Sequence, residues 1–192
     1  MNKADVIAFF DRCAPTWDAE MIRSDEIIGE ILDLGGIRPG ADVLDVACGT
    51  GVLFPDYFAR EIGSLTAIDI SPEMVRITRE KFPEVSVLCG DAETAEFGRK
   101  FDAIMIYNAF PHFPDPAALF AGLSRWLVPG GRLTVAHGMS RAAIDHHHSG
   151  SASRVSCELL HEDALAEIMG KYLHVDVKIS DEEKYIVSGT LK

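Results

Sequence analysis

The run Val43-Leu44-Asp45-Val46-Ala47-Cys48-Gly49-Thr50-Gly51 constrains the fold more than any other stretch of the chain. Its first half is apolar around one acid, the pattern of a buried strand. Its second half holds two glycines one residue apart, the pattern of a tight turn. Glycine has no Cβ and tolerates φ > 0, so such a turn lets a ligand come close to the backbone. A helix is expected next, with its free N–H groups facing that ligand. In an open α/β sheet, ligands bind at this point, outside the carboxyl end of a strand.

The pattern is Gly-x-Gly, without the third glycine of the dinucleotide fingerprint. Asp45 narrows it. A carboxylate just before the turn would repel a pyrophosphate and suits a ligand with a positive end. S-adenosylmethionine (SAM) carries an α-ammonium and a sulfonium and no phosphate. The plainer alternative is a βα turn of another α/β protein, with Asp45 capping on the helix side.

A chain of 192 residues is expected to form one domain, residues 1–192, large enough to bury its own core. The formal net charge of −12 argues against a nucleic-acid surface and against anionic membranes. Cys13, Cys48, Cys89 and Cys157 are scattered without a CxxC pair, which fits reduced thiols in a cytoplasmic protein. Lys3, Asp5 and Asp11 interrupt the first apolar residues, so no signal peptide is expected. No apolar run has the length of a membrane span.

Residues 4–12 and 24–34 read as helices, the second capped by Ser24 and stopped by Gly35-Gly36. They make residues 1–35 a candidate N-terminal lid. Phe9, Phe10 and Trp17 either pack onto the sheet or roof a pocket. A helix is expected over 52–62, with Pro55 in its first turn. The next strand, 65–70, ends on Asp69, near the place where a ribose-binding acid is expected, about 20 residues past the glycine turn. A carboxylate there accepts two hydrogen bonds from vicinal hydroxyls. The alternative is Asp69 as a helix cap, although Ser71 and Pro72 can open that helix without it.

A helix through Lys81 and a strand over 85–88 lead into Gly90-Asp91-Ala92-Glu93, which reads either as a plain turn or as a loop bordering an adenine. A strand over 101–106 runs into the loop 107–115. A helix through Leu127, a turn over Val128-Pro129-Gly130-Gly131 and a strand over 132–136 follow. This alternation predicts a doubly wound sheet. Residues 137–160 read as a Gly- and Ser-containing loop beside the reacting group. Residues 161–192 read as a helix and a closing antiparallel hairpin.

Four motifs together resemble class I SAM-dependent methyltransferases: Leu44–Gly51, Ile68-Asp69-Ile70-Ser71, Gly90-Asp91-Ala92-Glu93 and Leu127-Val128-Pro129-Gly130-Gly131-Arg132-Leu133. The match covers about residues 40–136. It implies a Rossmann-like α/β sheet of order 3-2-1-4-5-7-6, strand 7 antiparallel, with helices on both faces. It implies that Asp45, Ala47 and Gly49 line the methionine part of SAM, that Gly51 belongs to the same cofactor-binding turn, that Asp69 takes the ribose hydroxyls, and that Ile70, Asp91 and Ala92 border the adenine. Asn108 would lie beside the methyl sulfonium. The run Asn108-Ala109-Phe110-Pro111-His112-Phe113-Pro114-Asp115 resembles the small-molecule enzymes of ubiquinone and menaquinone biosynthesis. It lacks the Asn/Asp-Pro-Pro-Tyr loop of enzymes that methylate planar amines.

Methyl transfer needs in-line alignment and exclusion of water, and a base where the acceptor is acidic. His112 and His137 are the candidate bases, because imidazole titrates near neutrality. Tyr107 and Phe110 either wall the acceptor or belong to the core. His146-His147-His148 sit too close in sequence for one ion on an extended segment, so no metal site is assigned. Arg141 and Arg154 could hold an acidic substrate or simply face solvent. The expectation is a cytoplasmic SAM-dependent methyltransferase, monomer or homodimer, that acts on a small molecule and releases S-adenosyl-L-homocysteine (SAH). A SAM-binding sensor or partner subunit without turnover is the alternative.

Overall fold

The computed structural model describes residues 1–148 and 152–192. The N-terminal segment forms α1 (Lys3–Cys13), a 3-10 turn (Ala14–Thr16), the short α2 (Trp17–Glu20) and α3 (Asp25–Leu34). Asn2 caps α1 by accepting from the Ala4 N–H at 3.0 Å. Ser24 caps α3 by accepting from the Ile27 N–H at 3.4 Å. The stripe Ile28, Ile31 and Leu32 is buried, and each such side chain contributes about 1.5–3 kcal/mol by leaving water.

The core follows as β1 (Asp42–Val46), α4 (Phe54–Ala59), β2 (Ser64–Asp69), α5 (Pro72–Lys81), β3 (Ser86–Cys89), β4 (Phe101–Tyr107), α6 (Pro116–Ser124) and β5 (Leu127–His137). The chain closes with α7 (Arg141–His148), α8 (Glu162–Met169), β6 (Leu173–Ser180) and β7 (Tyr185–Leu191). The sheet order is β3-β2-β1-β4-β5-β7-β6. The pairs among β1 to β5 are parallel, and β7 runs antiparallel to both β5 and β6. The expected order is therefore the observed one. One apolar cluster joins Ile104, Phe120, Leu133 and Tyr185. A second joins Ile31, Val43, Phe54 and Met105.

Three local expectations are corrected. The helix expected over 52–62 is only Phe54–Ala59, because Val52 and Leu53 stay in the glycine turn and Glu61 takes a left-handed φ of 54°. The strand expected over 132–136 begins at Leu127, with a register shift opposite Phe101 and Ala103 that absorbs Pro129-Gly130-Gly131. A Cβ on Gly131 would stand 2.9 Å from the Val128 carbonyl oxygen and 3.0 Å from that of Phe101, so the bulge admits only glycine there. Residues 137–160, read as a loop, contain α7, whose Ile144 is buried.

Candidate active site

The chain direction along the sheet reverses at β1, which has β2 on one side and β4 on the other. A cleft opens there, of about 960 Å³ with its mouth. Its floor is Ala47, Cys48 and Gly49 after β1, Ile68, Asp69 and Ile70 at β2, Gly90 to Glu93 after β3, and Tyr107, Asn108 and Ala109 at β4. His112, Phe113 and Pro114 close one side, and Lys3, Val6, Phe10, Trp17 and Met21 come from the N-terminal segment.

Two of the three non-glycine residues with positive φ among the described residues, Ala47 (57°) and Asn108 (52°), lie in this lining, at the ends of adjacent central strands. Left-handed backbone at an L-residue costs on the order of 1–2 kcal/mol, and such strain gathers at functional sites. Asn108 offsets it by accepting, through Oδ1, from the Gly138 N–H at 3.0 Å. That bond ties the end of β4 to the loop after β5 and leaves the amide NH2 as the remaining donor.

Asp69 holds the glycine turn. Its Oδ2 accepts from the Gly49 N–H at 2.8 Å and its Oδ1 from the Ser71 N–H at 2.9 Å. Ser71, not Asp69, caps α5, accepting from the Met74 N–H at 3.2 Å. A carboxylate has about four acceptor positions, so Asp69 keeps capacity for hydroxyls in the cleft. Burial raises its pKa to about 6, against the pull of the backbone N–H groups of Ser71, Gly49 and Ile70.

That value predicts opposite pH trends for stability and binding. The folded state holds this proton more tightly than the unfolded state, whose pKa is about 3.9. The raised value of about 6 therefore makes this group's contribution best below about pH 4. It is lost as pH rises toward 6, by about 3 kcal/mol in all. Hydroxyl binding needs the ionised form, so affinity for a ribose ligand is expected to fall as pH drops below about 6. Thermal melts and titrations with SAH at pH 5 and pH 7.5 check both signs.

The sequence-derived residues divide clearly. Ala47, Gly49, Asp69, Ile70, Asp91, Ala92, Asn108 and His112 line one cleft. Asp45, Gly51 and His137 are absent from its lining. Asp45 is 2% exposed behind the turn, and its carboxyl is pushed well up by burial and then by the Asp69 carboxylate. Gly51 has φ 82°, and a Cβ there would stand 2.9 Å from the Phe82 ring and 3.1 Å from that of Phe54. Packing beneath the turn therefore demands this glycine. His137 is 1% exposed, and its ring meets Tyr185 edge-on at 6.0 Å.

At the β3 end, Lys3 donates to Asp91 and to Glu93, the latter at 2.6 Å. Neither Lys3 nor Glu93 was selected from sequence, because an ion pair spanning 88 residues leaves no periodic trace. At the β4 end, His112 Nδ1 lies 2.8 Å from the Val155 carbonyl oxygen and 3.3 Å from Ser156 Oγ. The Phe10 ring meets the His112 ring edge-on at 4.8 Å. Of the aromatic pair at the end of α1, Phe10 lines the cleft, whereas Phe9 packs toward Val6, Ala152 and Val155.

Arg141 and Arg154 lie outside the lining. His146 is exposed on α7; the side chains of His147 and His148 lie outside the described residues. Among the described residues, no group of three His, Cys, Asp or Glu side chains could hold a metal ion. The four cysteines are free thiols.

Residues 43–131 match the family model described as a methyltransferase domain. The sheet order and the cleft at its switch point are those of the Rossmann-like class of methyltransferase folds. Within that class, the chain is 39% identical over 108 residues to a ubiquinone biosynthesis O-methyltransferase of Xanthomonas oryzae pv. oryzae, covering 53% of this chain and 43% of that protein. It is 31% identical over 141 residues to a demethylmenaquinone methyltransferase of Renibacterium salmoninarum, covering 69% and 58%. The chain thus spans about half the length of the curated relatives it matches. Its fold matches that of the N-methyltransferase NodS from Bradyrhizobium japonicum in complex with SAH, with a TM-score of 0.74, 14% identity, and coverage of 100% and 99%.

Proposed function

We propose that this chain transfers a methyl group from SAM to a small-molecule acceptor. The observation that carries the reading is the convergence of the Gly49 turn, the Asp69 carboxylate and the Asn108 amide on one cleft. These groups fit the ligand. Asp69 has acceptor capacity for a ribose diol, Ile70 and Ala92 offer apolar edges for an adenine, and Gly49 carries no side chain where the amino-acid part would pass. Relatives named as O-methyltransferases and a demethylmenaquinone methyltransferase support the same reaction type.

The cofactor supplies a methyl group already activated on a sulfonium. The protein's task is alignment and exclusion of water. Phe10, Trp17 and Phe113 supply an apolar cover on the acceptor side. His112 takes the acceptor's proton. A carbonyl oxygen only accepts, so the 2.8 Å contact with Val155 requires the proton on Nδ1, and in the neutral ring Nε2 is then the basic nitrogen. Asp45 acts through the turn, by its burial behind Gly49, and not as a counter-ion in the cleft. His137, buried against Tyr185, sits under the site as packing.

Among the described residues no helix is long and apolar enough to cross a membrane. The net charge of −12 and four free thiols support a cytoplasmic enzyme whose partners do not include nucleic acid, and a monomer or homodimer is the assembly we propose for it. The test is turnover of SAM to SAH with a panel of small phenolic, enolic, amine and thiol acceptors. SAH binding without turnover on any acceptor would favour a sensor or partner subunit. With an active acceptor, His112→Ala is expected to lower kcat by about 10²–10⁴-fold, the usual worth of a general base; an unchanged kcat would remove His112 from that role.

A further inference from the structure

The N-terminal segment touches all three loops at the nucleoside end of the cleft. Lys3 donates to Asp91 and Glu93 after β3. Asp11 accepts from Ser71 Oγ at 2.5 Å and from the Glu73 N–H at 3.2 Å, after β2. Asp18 accepts from Thr50 Oγ1 in the glycine turn and from Lys81 Nζ at 2.7 Å. The same segment also reaches the acceptor end. Val6, Phe9 and Phe10 pack with Ala152, Val155 and Ile70 in a small apolar cluster, and the Phe10 ring abuts His112. Val155 thus faces two ways: its side chain packs under α1, and its carbonyl holds His112 Nδ1.

We infer that α1 is a positioning element for the transfer: seated on the cofactor loops, it holds His112 in the Nδ1–H tautomer through Phe10 and Val155. The inference rests on the reading of His112 as the base. In this account, Phe10 and Val155 are positioning residues. An imidazole released from these two contacts is held less firmly toward the acceptor and exchanges its proton between the two nitrogens more freely. Opening of the segment over the cofactor therefore disorders the base as well. The nucleoside end and the proton-accepting end are coupled through α1 and the small cluster it forms with Ile70 and Val155.

Imidazole ¹⁵N spectra read the tautomer directly, with the His112 signals assigned by their loss in His112→Gln. They are recorded on the full chain, free and with saturating SAH. Wild type is expected to show the proton on Nδ1. Phe10→Ala is expected to shift the population severalfold toward the Nε2–H form, and Phe10→Tyr to restore the wild-type signal. The double variant Lys3→Ala/Asp11→Ala leaves Phe10, Val155 and Ser156, the described neighbours of His112, in place and is expected to shift the signal in the same direction. A wild-type tautomer in both Phe10→Ala and the double variant overturns the inference. Calorimetry on the same samples separates the layers. Intact SAH binding with an unmoved tautomer sinks the coupling alone, whereas no SAH binding by wild type sinks the coupling and the cofactor reading together. Full turnover in His112→Gln removes the assignment of the base and leaves the tautomer result to judge the coupling.

Discussion

Asp69→Ala is expected to weaken SAH binding by about a hundredfold or more, the largest effect of any single change in the cleft. Two hydrogen bonds from ribose hydroxyls to a charged acceptor are worth roughly 1.5–3 kcal/mol each. The change also releases the Gly49 and Ser71 N–H groups, now held at 2.8 and 2.9 Å, so the turn loses its brace. Asp69→Asn does not rescue it. An amide has one acceptor oxygen, and its NH2 would face whichever backbone N–H that oxygen does not serve. Isothermal titration on both variants checks this, and wild-type affinity in either contradicts it. The apo protein need not be destabilised in proportion, because a carboxyl whose pKa is raised to about 6 by burial is itself a cost above that pH.

Gly51→Ala is expected to lower stability by roughly 2–4 kcal/mol and Tm by about 10 °C, from a left-handed φ imposed on alanine and an overpacked contact. The φ is 82°, and the new Cβ would meet Phe82 at 2.9 Å, within the ring cluster of Phe54, Phe58 and Phe82. SAH affinity of the folded fraction is expected to survive, because Gly51 is absent from the cleft lining. Gly49→Ala reverses the pattern. Its nearest neighbour is Trp17 Nε1 at 3.6 Å, so there is strain without a clash, but the methyl group points toward the cleft mouth. Thermal melts and titrations of the pair separate a packing glycine from a ligand-facing one. Equal loss of affinity in both would contradict the division.

The parts of the fold legible in the sequence are those fixed by local chemistry. Ser24 and Ser71 read as helix caps because a short polar side chain satisfies a free N–H one turn on, and both do so. Strands β1, β2 and β4 read because each is a short, mostly apolar run bounded by turns. The helix over Arg141–His148 is not legible in the sequence: among its described side chains only Ile144 is buried, and one buried position makes no periodicity. The start of β5 at Leu127 was hidden by Pro129-Gly130-Gly131, which signals a turn unless a neighbouring strand bulges to receive it.

The site shows the same division. Asp69, Asp91 and Asn108 stand at strand ends, where sequence places them. Lys3 enters the cleft only because α1 folds back over the loop after β3, and the same fold settles Phe10, which sequence offers as packing or roof, onto the cleft. His137 looked like His112 in sequence, both being histidines beyond a core strand. Only packing against Tyr185 separates them. Asp45 stands buried outside the cleft lining, and burial and the Asp69 carboxylate push its carboxyl well up.

The central claim is that the cleft above β1 and β2 receives the nucleoside of SAM. Calorimetric titration of the wild-type chain with SAH at pH 7.5, repeated with Asp69→Ala, tests it most directly. The account predicts saturable one-to-one binding in the first and its loss in the second. Folded wild-type protein that takes up no SAH, or an Asp69→Ala variant that binds it equally well, would contradict it.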